Sequence, residues 1–186
     1  MKQYFDPIYG NADSIRYFTD AIAHGYTSFN LDVISRSAAR RNFRIYKYDG
    51  YFANLISLED YFAHSMELLG DPENRNELFG IRNRPIYTKV RNSAPAKYSA
   101  SSCVKNSLIA DGCVIEGTVE NSILFRGVKI GKGTTVKNSI LFQDTVTGEN
   151  VFLNCVIADK NVVIRDGRML SGHETMPFFI DKGKMI

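Results

Sequence analysis

The segment Val104-Lys-Asn-Ser-Leu-Ile109 recurs as Val119-Glu-Asn-Ser-Ile-Leu124, Val136-Lys-Asn-Ser-Ile-Leu141 and Phe152-Leu-Asn-Cys-Val-Ile157. The asparagines of the four copies, Asn106, Asn121, Asn138 and Asn154, are spaced by 15, 17 and 16 residues. Between the copies, aliphatic residues recur every six positions, as at Leu124, Ile130 and Val136. A fixed short period of this kind predicts a solenoid, whereas the strands of a β-sandwich would recur about every 8–12 residues.

Each six-residue unit is long enough for one short strand and a corner, so three units would form a triangular coil of about 17–18 residues. The aliphatic residue is predicted to stack in the interior, with a small residue two positions earlier packed beside it. The asparagines and several glycines are predicted to form corners with positive φ, namely Gly112, Gly127, Gly131, Gly148 and Gly167. We expect about four coils over residues 103–170 and a C-terminal tail over residues 171–186.

The first 70 residues have a mixed helical and strand pattern. Three helices are predicted: one capped by Asp13 or Ser14 and ended by Gly25, one capped by Asn30 and running from Leu31 to about Arg41, and one that begins at a Ser57–Asp60 capping box and stops at Gly70. Residues 43–48 alternate like a strand. Residues 71–102 are predicted to be a linker with one short strand from Pro85 to Val90.

Composition excludes several classes of protein. The chain has 186 residues, a net charge of +3 and 44% apolar residues. This weak charge argues against nucleic-acid binding, and no apolar run reaches the roughly 20 residues of a membrane span. Three cysteines without a C-x-x-C spacing argue against a disulfide framework or a zinc site and indicate a cytoplasmic protein. Cys113 and Cys155 are expected to be buried small side chains, with Cys155 in the register of the repeat serines, and Cys103 to be partly exposed.

The repeat resembles the left-handed parallel β-helix of hexapeptide-repeat proteins. The run from Val104 to Val128, the entry Pro85-Ile-Tyr-Thr88 and the ending Ile180-Asp-Lys-Gly-Lys-Met-Ile186 are similar to the C-terminal β-helix of glucose-1-phosphate adenylyltransferase. The resemblance implies an α+β fold in which residues 1–70 are the remnant of a nucleotidyltransferase domain that precedes the β-helix. It also implies glycogen synthesis through ADP-glucose, with Mg²⁺ as the metal of the full family enzyme.

Departures from the family motif imply a regulatory rather than a catalytic subunit. Catalytic members carry G-Y-W-x-D-[VI]-G-T, whereas this chain reads Gly50-Tyr-Phe-Ala-Asn-Leu-Ile-Ser57. Asn54 therefore replaces the aspartate that helps to hold Mg²⁺, and an amide lacks its negative charge. Ser28-Phe-Asn30 stands where catalytic members have D-F-G. The chain itself is not expected to be active or to bind a cofactor, and its expected partners are the catalytic subunit or another copy through the β-helix. The alternative is that Asn54 is a turn residue in a divergent catalytic chain.

Two further sets of residues are candidates for a binding or catalytic role. Four arginines could form a phosphate-binding effector cluster or merely a solvated helix face: Arg36, Arg40, Arg41 and Arg44. The histidines are His24, His64 and His173, none of them inside the repeat. A hexapeptide-type acyltransferase acting on a sugar or amino sugar, the competing functional hypothesis, would need a histidine as base, and His173 is its best candidate.

Overall fold

The computed structural model describes residues 19–36, 39–40, 47–80, 86–87 and 92–186. The chain divides into two compact units, Met1–Asp49 and Gly50–Ile186. In the part of the chain that is described, no helix is both long and apolar enough to cross a lipid bilayer.

In the first unit, residues 19–23 are helical, and Gly25 follows with a φ of 70°. A short helix of π type, α1, spans Phe29–Ser35. Its N-cap is Ser28, whose hydroxyl accepts a hydrogen bond from the Leu31 amide at 3.2 Å. The prediction of an Asn30 cap is therefore wrong, because the extended Ser28 backbone places a better acceptor two residues earlier. The described helix ends at Ser35, and residues 39–40 form a turn rather than the predicted continuation.

Some predicted elements fall wholly or partly on residues that the structure does not describe. The Asp13 or Ser14 cap lies outside the described residues, as does most of the strand predicted over residues 43–48. The strand predicted from Pro85 to Val90 is described only at residues 86–87, which are not in a strand.

The second unit begins with two consecutive helices, α2 over Leu58–Gly70 and α3 over Pro72–Phe79. The Ser57–Asp60 capping box predicted for α2 is confirmed, with both reciprocal hydrogen bonds at 3.1 Å. Asp71 separates the helices and caps α3, because its carboxylate accepts from the amides of Glu73 and Asn74. The α3 helix thus lies within the stretch that the sequence suggested was a linker.

Residues 97–180 form three parallel sheets of five strands each. The first sheet contains β1 (Lys97–Tyr98), β4 (Val114–Ile115), β7 (Lys129–Ile130), β10 (Val146–Thr147) and β13 (Val163–Ile164). The second contains β2 (Cys103–Lys105), β5 (Thr118–Glu120), β8 (Thr135–Lys137), β11 (Phe152–Asn154) and β14 (Met169–Ser171). The third contains β3 (Leu108–Ile109), β6 (Ile123–Leu124), β9 (Ile140–Leu141), β12 (Val156–Ala158) and β15 (Phe178–Ile180).

Each strand pairs with the equivalent strand of the next coil, so the fold is a parallel β-solenoid resembling a left-handed β-helix. The predicted interior is confirmed: Ile115, Ile130 and Ile164 are at most 1% exposed. The small residues predicted beside this interior row are also buried from the second coil onward, as at Ser122, Val128 and Ser139. Strands continue to Ile180, because β15 pairs with β12.

The fourth copy of the repeat aligns one residue away from the predicted match. Leu153 pairs with Val136, which places the backbone of Cys155, rather than that of Asn154, in register with Asn138. Cys155 accordingly has a φ of 51°, close to the 44° of Asn138. The assignment of Cys155 to the serine register is therefore wrong, because stacking of the interior aliphatic row decides the register of parallel strands.

Only some of the glycines predicted at corners adopt a positive φ. Gly112, Gly127 and Gly167 have positive φ as predicted, but Gly131 and Gly148 do not. A Cβ on Gly131 would collide with the carbonyl oxygen of Gly148 in the next coil. Gly131 is thus required by the close approach of neighbouring coils.

Candidate functional site: the face covered by helix α2

Helix α2 covers the outer face of the third sheet. Ile140 and Ile157 point away from the interior row of Leu141 and Ala158, yet both are at most 1% exposed. Phe62 of α2, itself 2% exposed, packs against them together with Cys155. The apolar face of α2 therefore docks on the solenoid, with Phe62 at the centre of the contact.

An aromatic stack extends this contact along the sheet. The rings of Phe125 and Phe142, on neighbouring coils, are parallel with centroids 4.7 Å apart. Tyr61 of α2 stacks on Phe142 at 6.0 Å. Burial raises the pKa of the Tyr61 hydroxyl, so this side chain acts as an apolar ring with a neutral hydroxyl. Sequence reasoning missed the solenoid side of this contact, although apolar residues on both faces of β9 and β12 were the available sign that this face is covered.

A ladder of asparagine side chains runs along the corner beside α2. The Asn106 amide donates to the Asn121 oxygen at 2.8 Å, and Asn138 donates to Asn154 at 3.0 Å. The intermediate Asn121–Asn138 contact is 3.4 Å, and Asn154 donates to the Ser171 hydroxyl at 3.3 Å. Because the backbones at Asn106, Asn121 and Asn138 have φ between 40° and 46°, these side chains project from equivalent positions on successive coils.

A groove of about 530 Å³ lies between the ladder and α2. Its helical wall carries apolar and small residues, and the opposite wall is the asparagine ladder. Glu174 and Thr175, from the connection between β14 and β15, close part of the groove. This size falls within the range of about 300–1,000 Å³ typical of small-molecule sites.

The segment before α2, Gly50–Ser57, is attached to the helical pair by polar contacts. The Tyr51 amide donates to Glu77 at 2.7 Å, and its hydroxyl donates to Glu67 at 3.4 Å. Glu67 also accepts from Asn74 and contacts the ring nitrogen of His64. Partial burial, followed by the Glu67 carboxylate, raises the pKa of the Tyr51 hydroxyl. Glu67 thus links the motif segment to α2 and α3, a role that sequence reasoning did not identify.

Asn54 is exposed in the extended part of this segment. Its neighbourhood does not fit a bound Mg²⁺. Asn54 offers only a neutral amide, and the nearby Asp60 carboxylate already accepts from the amides of Ile56 and Ser57. Ile56, at the position of a family glycine, is 80% exposed. Among the described residues, no three His, Cys, Asp or Glu side chains gather as a metal site.

The structure places two of the four candidate arginines. Arg36 caps the C-terminus of α1, pairs with Asp32 at 3.1 Å and lies over the Tyr26 ring. Backbone amides of Ser28 and Thr27, and then Arg36, lower the pKa of Asp32. Arg40 lies in an exposed turn, while Arg41 and Arg44 fall outside the described residues. The effector cluster therefore stays a prediction.

Each histidine makes contacts within its own stretch of chain. His24 bonds to the Asp20 carbonyl oxygen at 2.6 Å, whereas His173 contacts Thr175 at 3.0 Å in the β14–β15 connection. His173 is exposed beside the groove-lining Glu174 and Thr175.

The cysteines follow the sequence prediction in their exposure, because Cys113 and Cys155 are buried and Cys103 is exposed. Burial raises the pKa of the Cys113 thiol. Burial and then the Glu174 carboxylate raise that of Cys155. Both buried thiols are therefore held neutral and unreactive.

Comparison with known proteins finds similarity both in the repeat and in the segments before and after it. A hexapeptide family, described as "GlmU-like, C-terminal hexapeptide", matches residues 93–175. The chain is 40% identical over 178 residues to the glycogen biosynthesis protein GlgD of Bacillus subtilis (strain 168). That alignment covers 96% of this chain and 48% of the relative.

The chain is homologous to GlgD. A GlgD from Geobacillus stearothermophilus is 60% identical over 72 residues, which are 39% of this chain and 20% of that protein. The glucose-1-phosphate adenylyltransferase of Bacillus mycoides (strain KBAB4) is 33% identical over 125 residues, 67% of this chain and 33% of that enzyme. The chain thus spans about half the length of the B. subtilis GlgD, and the resemblance to the adenylyltransferases is confirmed as homology to their C-terminal region.

Proposed function

We propose that the chain is a regulatory and oligomerising part of a GlgD-type protein in glycogen biosynthesis, without catalytic activity of its own. The observation that carries this proposal is the 40% identity to B. subtilis GlgD over 96% of the chain, including the motif segment Gly50–Ser57. Within that segment, the neutral amide of Asn54 supports a non-catalytic role.

In this proposal, residues 1–70 are the remnant of a nucleotidyltransferase domain, residues 71–102 lead from it into the solenoid and include its first strand β1, and the coils of residues 103–170 wind left-handed as in the resembled family. Helix α2, the last element of this stretch, would then attach the motif segment Gly50–Ser57 to the solenoid, since it contacts the segment through Glu67 and the third sheet through Phe62. Three free cysteines support a reducing, cytoplasmic setting.

The last coil supports assembly with a partner subunit. Its strands β14 and β15 are the final members of their sheets, so each has one edge without a neighbouring strand in the described chain. Five large apolar side chains are exposed there: Met169, Met176, Phe178, Phe179 and Met185. An exposed edge with apolar side chains is a site that proteins use for association. The preferred partner is the catalytic glucose-1-phosphate adenylyltransferase, with self-association as the alternative.

The acyltransferase alternative is not favoured, because the quoted relatives carry the names of glycogen biosynthesis and adenylyl transfer. A self-sufficient homotrimer that binds coenzyme A would reverse this preference.

Co-purification tests the assignment. The chain, carrying an affinity tag, is co-expressed with a catalytic adenylyltransferase from the same source, and we expect a mixed oligomer on size exclusion. Met169→Asp, at a residue 76% exposed on β14, should weaken the complex, whereas Lys129→Asp on the side of the solenoid should not. Failure to co-purify would refute the assignment of the adenylyltransferase as the partner.

A turnover assay tests the absence of catalysis. The purified chain is incubated with glucose 1-phosphate, ATP and Mg²⁺, and ADP-glucose is measured against a protein-free control. Formation of ADP-glucose above that background would overturn the non-catalytic role.

A further inference from the structure

The asparagine ladder has hydrogen-bonding capacity that its own contacts do not use. Each carboxamide has two N–H donors and an oxygen with two lone pairs. In the middle of the ladder, Asn121 and Asn138 each donate once and accept once along the ladder. One further donor and one further lone pair per rung are therefore available to a ligand in the groove.

The rungs repeat at a fixed distance. They lie on consecutive coils of parallel strands, whose spacing is about 4.7–4.9 Å. A ligand that satisfies several rungs must therefore present polar groups at a similar interval, as a chain of sugar rings does through its hydroxyl groups. The facing wall of α2, with Ala63 and Met66, offers apolar contact to the C–H face of such rings.

The charge of the groove determines which ligands fit. Of the described residues that line it, Glu174 alone is charged. A carboxylate without an accompanying lysine or arginine disfavours phosphate groups but accepts hydrogen bonds from hydroxyl groups. The groove therefore suits a neutral polyhydroxylated ligand and not a sugar phosphate or nucleotide.

We propose that the groove between α2 and the asparagine ladder binds a short segment of neutral glucan chain. Hydroxyl groups bond to the free amide positions of the ladder, and the apolar face of each ring packs on α2. The choice of glucose units rests on the proposed function in glycogen biosynthesis. The neutral, repeating character of the ligand rests on the groove alone.

Titration of the full chain with maltotetraose, followed by calorimetry or by amide NMR shifts, tests the proposal. We expect saturable binding, with shifts at the ladder asparagines and at Ala63 and Met66. Glucose 1-phosphate should neither bind with comparable affinity nor compete. Absence of binding at tens of millimolar maltotetraose, or stronger binding of glucose 1-phosphate, would overturn the proposal.

Two variants and a matched control locate the site. Ala63→Arg places a long side chain in the groove from an exposed helical position and should weaken maltotetraose binding at least tenfold. Ala100→Arg, the same exchange at an exposed turn outside the groove, should leave it unchanged. Asn106→Gly removes one rung while retaining a backbone with positive φ, and should weaken binding several-fold. Unchanged binding in both groove variants would overturn the location.

The same variants test glucan binding independently of binding to the partner subunit. Ala63→Arg should lose glucan binding yet still co-purify with the adenylyltransferase, because the apolar last coil is untouched. Thermal unfolding followed by circular dichroism verifies that each variant is folded. If the unmodified chain binds its partner but no glucan, only the proposal of glucan binding in the groove is refuted. If it binds glucan but no partner, only the proposal of assembly with the partner subunit is refuted.

Discussion

The solenoid interior and the α2–α3 pair bury apolar side chains in different ways. In the solenoid, interior residues such as Ile115, Ile130 and Ile164 are buried between equivalent residues of neighbouring coils. In the helical pair, Phe62 and Leu69 are the buried residues of α2, and α3 has none. The solenoid thus distributes its stability over many similar layers, whereas the helices depend on a few anchors and on polar contacts such as Tyr51–Glu67.

The largest effect is expected from a charge in the solenoid interior. Ile130→Asp buries a carboxylate without a partner and should cost about 4 kcal/mol or more of the free energy of unfolding. Lys129→Asp, at the exposed neighbouring position, should change it by about 0.5 kcal/mol or less. Urea unfolding followed by circular dichroism measures both variants. Equal losses in the two would contradict the six-residue register.

The helical anchor should give a smaller and more local effect. Phe62→Ala removes the ring that contacts Ile140 and Ile157, at a cost of about 3 kcal/mol to docking of the helix. Hydrogen exchange should then accelerate throughout α2 while the solenoid amides remain protected. Ala63→Ser, at the next and exposed residue, is the control and should leave exchange unchanged. Loss of protection in the solenoid as well would show that the two regions unfold together.

Replacing a glycine by alanine should destabilise the protein in the solenoid but stabilise it in helix α2. Gly131→Ala forces a Cβ onto the Gly148 carbonyl oxygen of the adjacent coil and should destabilise the protein by about 1–3 kcal/mol. At Gly70, the last residue of α2, a Cβ would meet no atom within 4 Å. Gly70→Ala should therefore stabilise the helix by up to about 1 kcal/mol. Thermal unfolding of the two variants compares the effects, and a stabilising Gly131→Ala would refute the close approach of the coils.

The smallest effect concerns acid stability at the start of the solenoid. A hydrogen bond from the Ser93 side chain, and then Arg126 at 2.9 Å, lower the pKa of Asp111. The resulting stabilisation is complete above the unfolded-state pKa of about 3.9 and disappears as the pH falls through the lower folded-state value.

We therefore expect Asp111→Asn to be less stable than the unmodified chain at neutral pH, with the difference closing under acid conditions. Urea unfolding measured from pH 7 to pH 2 checks this trend, with the exposed Asp181→Asn as control. A difference that grows as the pH falls would contradict the role of the Asp111 carboxylate.

Much of the fold could be predicted because the solenoid is periodic. The positions of Leu124, Ile130 and Val136 follow from a spacing of six, and all three are buried as predicted. The cap of α2 could also be predicted, since Ser57 and Asp60 interact over three residues. The Ser28 cap could not, because several neighbouring polar residues were equally suitable until the local backbone conformation was known.

The candidate site was less accessible to sequence reasoning. Asn54 was found through a motif, but the motif did not show that its side chain is exposed. Its segment is attached to α2 by the hydrogen bond from Tyr51 to Glu67, which are 16 positions apart. The groove joins α2 to asparagines more than 35 residues later in the chain. No local pattern encodes such a distance, and the groove emerges only when the helix docks on the sheet.

The sequence by itself determined the repeating coil, because a strand-length hydrophobic period and corner residues with positive φ act over a few neighbouring residues. Tertiary structure decided the register of the fourth copy, where stacking of Leu153 on Val136 places the backbone of Cys155 in register with Asn138. It also decided that Phe62 covers Ile140 and Ile157, because an apolar outer face shows that something must cover it but does not say which segment will. Contacts between distant residues depend on shape and mutual burial, and these exist only in the folded chain.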